Sequence, residues 1–217
     1  METWQFFLDN WQLTMHLAWQ HAWVVSIAVA IAILTGVPIG IWITFNEKAA
    51  ETVLYIAGII MTIPSIALFG IMIPLLSLIG YGIGTVPAIV ALVLYSQLPI
   101  IRNTYAAIKN VEPNIIDAGT GMGMTRWQVL GKVQLPMALS VIFAGVRVAV
   151  VMSIGIGAIA AYIGAGGLGA FIARGISQTD PRQLITGALA VSILAVAADF
   201  ALLGLQRLLT SPGLRTS

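Results

Sequence analysis

Five apolar runs, too long and too continuous for the core of a soluble domain, constrain this chain more than any other feature. Ala22 to Phe45, Val53 to Ile79, Val86 to about Tyr105, Met137 to Ile163 and Ile185 to Leu209 each approach or exceed the roughly 20 residues that carry an α-helix across about 30 Å of hydrocarbon. A membrane β-barrel would instead show alternation over strands of about ten residues. The fold class expected is therefore all-α, a polytopic membrane protein with about five transmembrane helices. Composition agrees, since 59% of residues are hydrophobic and 8% charged, whereas soluble domains carry about a quarter charged residues.

The expected division is an N-terminal interfacial segment at 1–21, a membrane domain at 22–209 and a cytoplasmic tail at 210–217. Residues 1–21 mix aromatic with polar side chains (Trp4, Phe6, Phe7, Trp11, Trp19), which suits a membrane–water interface, and they lack the basic start of a cleavable signal peptide. With the N-terminus outside, the inner segments collect Lys48, Arg102, Lys109, Arg126, Lys132, Arg207 and Arg215, leaving Arg174 and Arg182 on the other side. The positive-inside bias thus predicts an outer N-terminus, an inner C-terminus, and a segment 109–136 in the cytoplasm. The ten Lys and Arg residues are scattered rather than striped, so nucleic acid is not an expected partner. Membrane lipid is. The absence of cysteine excludes disulfides, thiolate chemistry and Cys-ligated metal. His16 and His21 are too isolated for a metal site, and interfacial hydrogen bonding is their expected role.

Pro38, Pro64, Pro74, Pro87 and Pro99 fall in or at the edges of the spans. Each removes a backbone donor and is expected to kink its helix where protein or a cavity satisfies the freed carbonyl. Gly36 and Gly40 form a GxxxG pair suited to close helix approach.

The segment from Glu112 to Pro136 reads as two short helices around a turn. Pro113 suits a first helical position, and Gly119, Gly121 and Gly123 permit tight or left-handed backbone. Thr125 and Gln128 form a capping box, and Leu135-Pro136 is expected to stop the second helix. The apolar side chains of this unit (Ile115, Ile116, Met122, Met124, Trp127, Val129, Leu130) have few neighbours of their own. They require either a partner protein or a resting place on the membrane surface.

Asp117-Ala118-Gly119, followed at fixed distances by Gly123, Val133 and Leu135-Pro136, resembles the EAA loop of ABC-importer permeases. Two positions depart from that pattern, Asp117 for the usual glutamate and Gly119 for the usual alanine, the second loosening the first helix. Thr62-Ile-Pro-Ser65, Gly121-Met-Gly-Met-Thr125, Ala144-Gly-Val-Arg147 and Ile163-Gly-Ala-Gly-Gly-Leu-Gly169 extend the likeness over nearly the whole chain. They resemble the osmoprotectant branch, which imports glycine betaine, carnitine, choline or related compounds; relatives moving methionine share parts of the same pattern. The resemblance implies a non-enzymatic permease subunit of the bacterial inner membrane. It also implies a cytosolic ABC ATPase as partner, carrying the ATP and Mg that this chain does not bind, a second permease subunit, related or identical, and an extracytoplasmic solute-binding protein. Asp117, Ala118, Gly119, Gly123, Thr125, Arg126, Leu135 and Pro136 are the implied coupling residues.

No GxxxxGK[ST] occurs, so no phosphate-cradling loop is expected here. Gly164 to Gly169 matches GxGxxG but follows an apolar span with no βαβ unit, and is expected to be a turn or re-entrant segment. Arg147 lies about eleven residues past Pro136 and Asp199 about eight before Arg207, at about 1.5 Å per residue, hence at similar depth. A lone charge there costs several kcal/mol. Either the two pair and brace spans four and five, or Asp199 faces the pathway and attracts a cationic solute. Pro64, Ser65 and Gln97 are further pathway or structural candidates. An ion-gradient-driven carrier could use Gln97, Arg147 and Asp199 for coupling, but it would have no need of the 117–136 loop.

Overall fold

The computed structural model describes residues 2–209, so the expected tail 210–217 lies outside the described residues. The described residues form α-helices joined by turns: α1 (Glu2–Asp9), α2 (Trp11–Trp42), α3 (Glu47–Thr62), α4 (Ser65–Ser77), α5 (Thr85–Lys109), α6 (Pro113–Gly121), α7 (Arg126–Val129), α8 (Leu135–Ile159), α9 (Gly169–Ser177) and α10 (Pro181–Leu209). Among them, α2, α5, the run through α7 and α8, and α10 are each long and apolar enough to cross a membrane.

The second expected span is broken. Its two halves, α3 and α4, meet at 101°, because Pro64 forces Ile63 into an extended conformation (ψ 127°) that no helix can pass through. Whether this bent pair crosses the bilayer follows from its ends. Glu47, which opens α3, lies 3.5 Å from Lys109 at the end of α5, whereas Gly84, just before α5, donates to the carbonyl of Ile163 beyond α8 (2.8 Å). The pair therefore starts at one end of the bundle and delivers the chain to the other. It makes a fifth crossing.

Two boundaries differ from expectation. Helix α2 begins at Trp11 rather than Ala22, because Thr14, Leu17 and His21 on its first turns are buried and Leu17 packs against Leu168 and Phe171. This partner, more than 140 residues away in sequence, leaves no trace in local hydropathy. Second, Leu135-Pro136 does not stop a helix. The chain stays helical from Arg126 to Ile159 through a π-turn at Leu130–Gln134, whose wider ring admits Pro136 without breaking the rod.

The core lies where α2, α5 and α8 meet, around Ala28, Ala32, Leu92, Ile100, Val146 and Ala149. The GxxxG pair produces the approach: a Cβ on Gly36 would sit 2.9 Å from Ile100 Cγ2, and one on Gly40 2.6 Å from Thr104 Cβ. Gly166 and Gly167, both at positive φ, bring the following turn against α2, where Gly167 N–H donates to Gln20 Oε1 (3.1 Å). His21 departs from its expected interfacial role. It is 3% exposed and its Nε2 lies 3.0 Å from the Ile154 carbonyl, joining α2 to α8. Asp180 caps α10 by accepting from the Arg182 amide (3.0 Å), and Gln183 Nε2 donates to the same carboxylate (3.2 Å).

Candidate functional site

The unit α6–α7 is built from local signals that the structure realises closely. Pro113 is the first residue of α6, and its far end closes in a Schellman motif: Met124 N–H donates to Gly119 O (3.1 Å) and Gly123 N–H to Thr120 O (2.9 Å). Gly123 makes this possible with φ +84°, a left-handed conformation that favours glycine. Gly119 and Gly121 are helical, so of the three glycines only Gly123 is used for its backbone freedom. The capping box forms at α7, where Thr125 N–H donates to Gln128 Oε1 (2.8 Å) and Gln128 N–H to Thr125 Oγ1 (3.4 Å).

The unit is also mounted on the bundle. Val129 and Leu130 are buried, and Leu130 joins Ala107, Ile108, Ala138 and Ile142 in one cluster. Two of the seven apolar side chains thus find cover in their own chain. The Arg126 guanidinium lies 4.5 Å from the Phe45 ring centre, and Trp127 packs on the same ring at 5.4 Å. Phe45, at the turn after α2, is a contact that sequence reasoning missed: it reads there only as the last apolar residue of a span. Asp117 and Ala118 are exposed on α6, beside Met122 at 74% and Trp127 at 71% exposure. The Glu47–Lys109 ion pair at the same end is itself exposed and contributes little.

The candidates inside the bundle form separate groups. Pro64 and Ser65 sit at the α3–α4 bend, where the Ile63 carbonyl accepts a hydrogen bond from Tyr95. A tyrosine in mid-span needs such a partner, and that requirement was the readable signal for it. Gln97 Nε2 donates to Thr35 Oγ1 on α2 (2.9 Å), while its Oε1 is buried without a partner among the described residues. Arg147 and Asp199 are brought together in a two-pronged pair, Nε to Oδ1 at 2.9 Å and Nη2 to Oδ2 at 2.8 Å. They join α8 to α10 and stand apart from Gln97 and from the bend. Among the described residues no group of three His, Cys, Asp or Glu side chains could hold a metal.

Comparison with known proteins places this geometry. Residues 36–211 match the family described as "Binding-protein-dependent transport system inner membrane component". The osmoprotectant import permease protein OsmW of Salmonella typhimurium is 53% identical over 99% of this chain and 100% of its own length. The glycine betaine/carnitine/choline transport system permease protein OpuCB of Bacillus subtilis is 41% identical over 90% of this chain and 88% of its own. Among solved structures, an inward-facing conformation of the MetNI methionine ABC transporter superposes with a TM-score of 0.82 at 26% identity, covering 94% of this chain and 99% of that one.

Proposed function

The chain belongs to the family of inner-membrane components of binding-protein-dependent transport systems, and from that membership we propose its working parts and partners. It is the permease subunit of an ATP-driven osmoprotectant importer, with glycine betaine, carnitine and choline as the solute class. The printed functions of relatives at 41–53% identity support this class over the methionine transport of the 26% identical structure.

The observation that carries the coupling role is the mounted α6–α7 unit, which exposes Asp117, Ala118, Met122 and Trp127 while Leu130 and the contact of Arg126 with Phe45 hold it to the bundle. A loose loop could not transmit force. This one is continuous with α8, so displacement of α7 by a cytosolic ATPase tilts a rod of membrane length. A second permease, identical or related, completes the pathway, and an extracytoplasmic binding protein delivers the solute. ATP and Mg are held by the ATPase. The chain contributes movement and a path, and hydrolysis is the work of its partner. The α6–α7 end and the C-terminus face the cytoplasm, the N-terminus and the 164–168 turn the outside.

The test is reconstitution with the ATPase and measurement of ATP hydrolysis with solute-loaded binding proteins. Stimulation by a glycine betaine-, carnitine- or choline-loaded protein is expected; stimulation only by a methionine-loaded one, or by none, refutes the reading. Met122→Ala combined with Ala118→Asp, both at exposed positions, is expected to leave the bundle folded and abolish stimulation.

A further inference from the structure

The Arg147–Asp199 pair is more exposed than a brace requires. In a chain whose α8 and α10 are both of membrane-crossing length, these side chains remain 25% and 35% exposed. At about 1.5 Å per residue, Arg147 lies about 18 Å along α8, near the middle of a hydrocarbon layer of about 30 Å. Charges at such depth face protein or water rather than lipid tails. The pair opens on a groove of about 460 Å³ lined otherwise by Ala144, Val148, Val151 and Met152, so its chemistry is one cation, one anion and an apolar wall.

We propose that this groove is a transit site for zwitterionic trimethylammonium acids, in which the solute inserts between Arg147 and Asp199 and exchanges partners with them. This rests on the osmoprotectant reading above. The solute carboxylate takes the Nε and Nη2 fork that now holds Asp199, a geometry that guanidinium offers to any carboxylate. The trimethylammonium group, which has no N–H to donate, needs an anion at close range and apolar surface for its methyls. Asp199 supplies the first, and Val148, Val151 and Met152 the second. The two hydrogen bonds of the Arg147–Asp199 fork are exchanged for two to the solute carboxylate, and the trimethylammonium group lies against Asp199, so no charge is left unpaired. A purely cationic solute such as choline engages Asp199 alone and strands Arg147, so the site discriminates in favour of the zwitterion.

The test compares uptake of glycine betaine and choline by the full importer in proteoliposomes, with each solute on its saturating binding protein. Arg147→Gln frees Asp199 and removes the carboxylate fork; loss of one charge-assisted contact shifts the choline-to-glycine betaine ratio toward choline by about tenfold. The double variant Arg147→Gln with Asp199→Asn leaves no unpaired charge, guards against misfolding, and is expected to slow glycine betaine more than choline. Uptake of both solutes with an unchanged ratio in both variants overturns the transit site and leaves the functional reading intact. No uptake of either solute by the natural importer overturns both. Because the chain has no cysteine, Val148→Cys reports the groove directly. Labelling by a water-soluble maleimide that glycine betaine suppresses supports the site, whereas an unreactive thiol, or one that cross-links to a second permease, overturns it.

Discussion

Replacing Gly119 with alanine should tighten α6, and the structure gives the size of the effect. Gly119 is buried, helical, and the third residue from the end of α6, where the Schellman motif normally places an apolar contact with the residue that Met124 occupies here. A Cβ at Gly119 would lie 3.5 Å from Met124 Sδ and 3.5 Å from Val129 Cγ2, ordinary contact with nothing displaced. Alanine is favoured over glycine inside a helix by about 0.8–1 kcal/mol, and burial of one methyl adds about 0.8 kcal/mol. Allowing for reduced propensity near a helix end, the gain is about 1.4 kcal/mol, or about tenfold in an opening equilibrium. The amides of Met122, Gly123 and Met124, which close the motif, report it directly. In the assembled permease, hydrogen exchange of the 113–124 segment should slow about tenfold at these sites. Exchange unchanged or faster in Gly119→Ala would mean that the missing methyl does not loosen α6. Gly123→Ala is the opposing control, since its φ of +84° makes a side chain there cost about 1–2 kcal/mol.

Three further outcomes follow from particular contacts. Gly40→Ala places a methyl 2.6 Å from Thr104 Cβ and 3.0 Å from the Ile101 carbonyl, and should destabilise the α2–α5 contact by about 1–3 kcal/mol, read as a lower melting temperature in detergent. Tyr95→Phe strips the hydroxyl that satisfies the Ile63 carbonyl at the α3–α4 bend; a cost of about 1–3 kcal/mol should appear as lower thermal stability, with faster exchange confined to residues around the bend. Asp180 gives a pH signature: hydrogen bonds from the Arg182 side chain, with further ones from the Gln183 side chain and the Arg182 amide, hold its carboxyl at about 2, below the usual value of about 3.9. A carboxyl depressed in the folded state lends stability that is complete above about pH 4 and is lost as pH falls toward about 2. Exchange of the Arg182 amide should therefore quicken across that window beyond its intrinsic pH dependence, and Asp180→Asn should abolish the added dependence.

The parts of the α6–α7 unit most legible in the sequence are those whose signal and structure lie within four or five residues. The Pro113 start, the Gly123 terminator and the Thr125–Gln128 box are of this kind, because each names the backbone group that it satisfies. Phe45 was illegible because its partners Arg126 and Trp127 lie some 80 residues away, and nothing local distinguishes it from any other span residue. The π-turn at Leu130–Gln134 was hidden for a different reason. Proline reads locally as a stop, whereas the π-turn that lets the rod pass Pro136 begins at Leu130, which is buried in one cluster with Ile108 and Ile142. Arg147 and Asp199 fall between these cases: their shared depth made pairing one of two readings, while the pairing itself and the groove they face belong to the packing of α10 on α8.

The residue pattern alone fixed a helical membrane protein with a capped helix-turn-helix between its third and fourth spans, because hydrocarbon admits few backbone structures and caps and glycines act over one helical turn. Tertiary structure decided where the second span breaks and how far α2 extends. It also decided that α5 is the helix the Gly36–Gly40 pair meets, and that α7 runs without a break into α8. These outcomes depend on contacts between residues far apart in the chain, whose energies arise only once the helices are side by side.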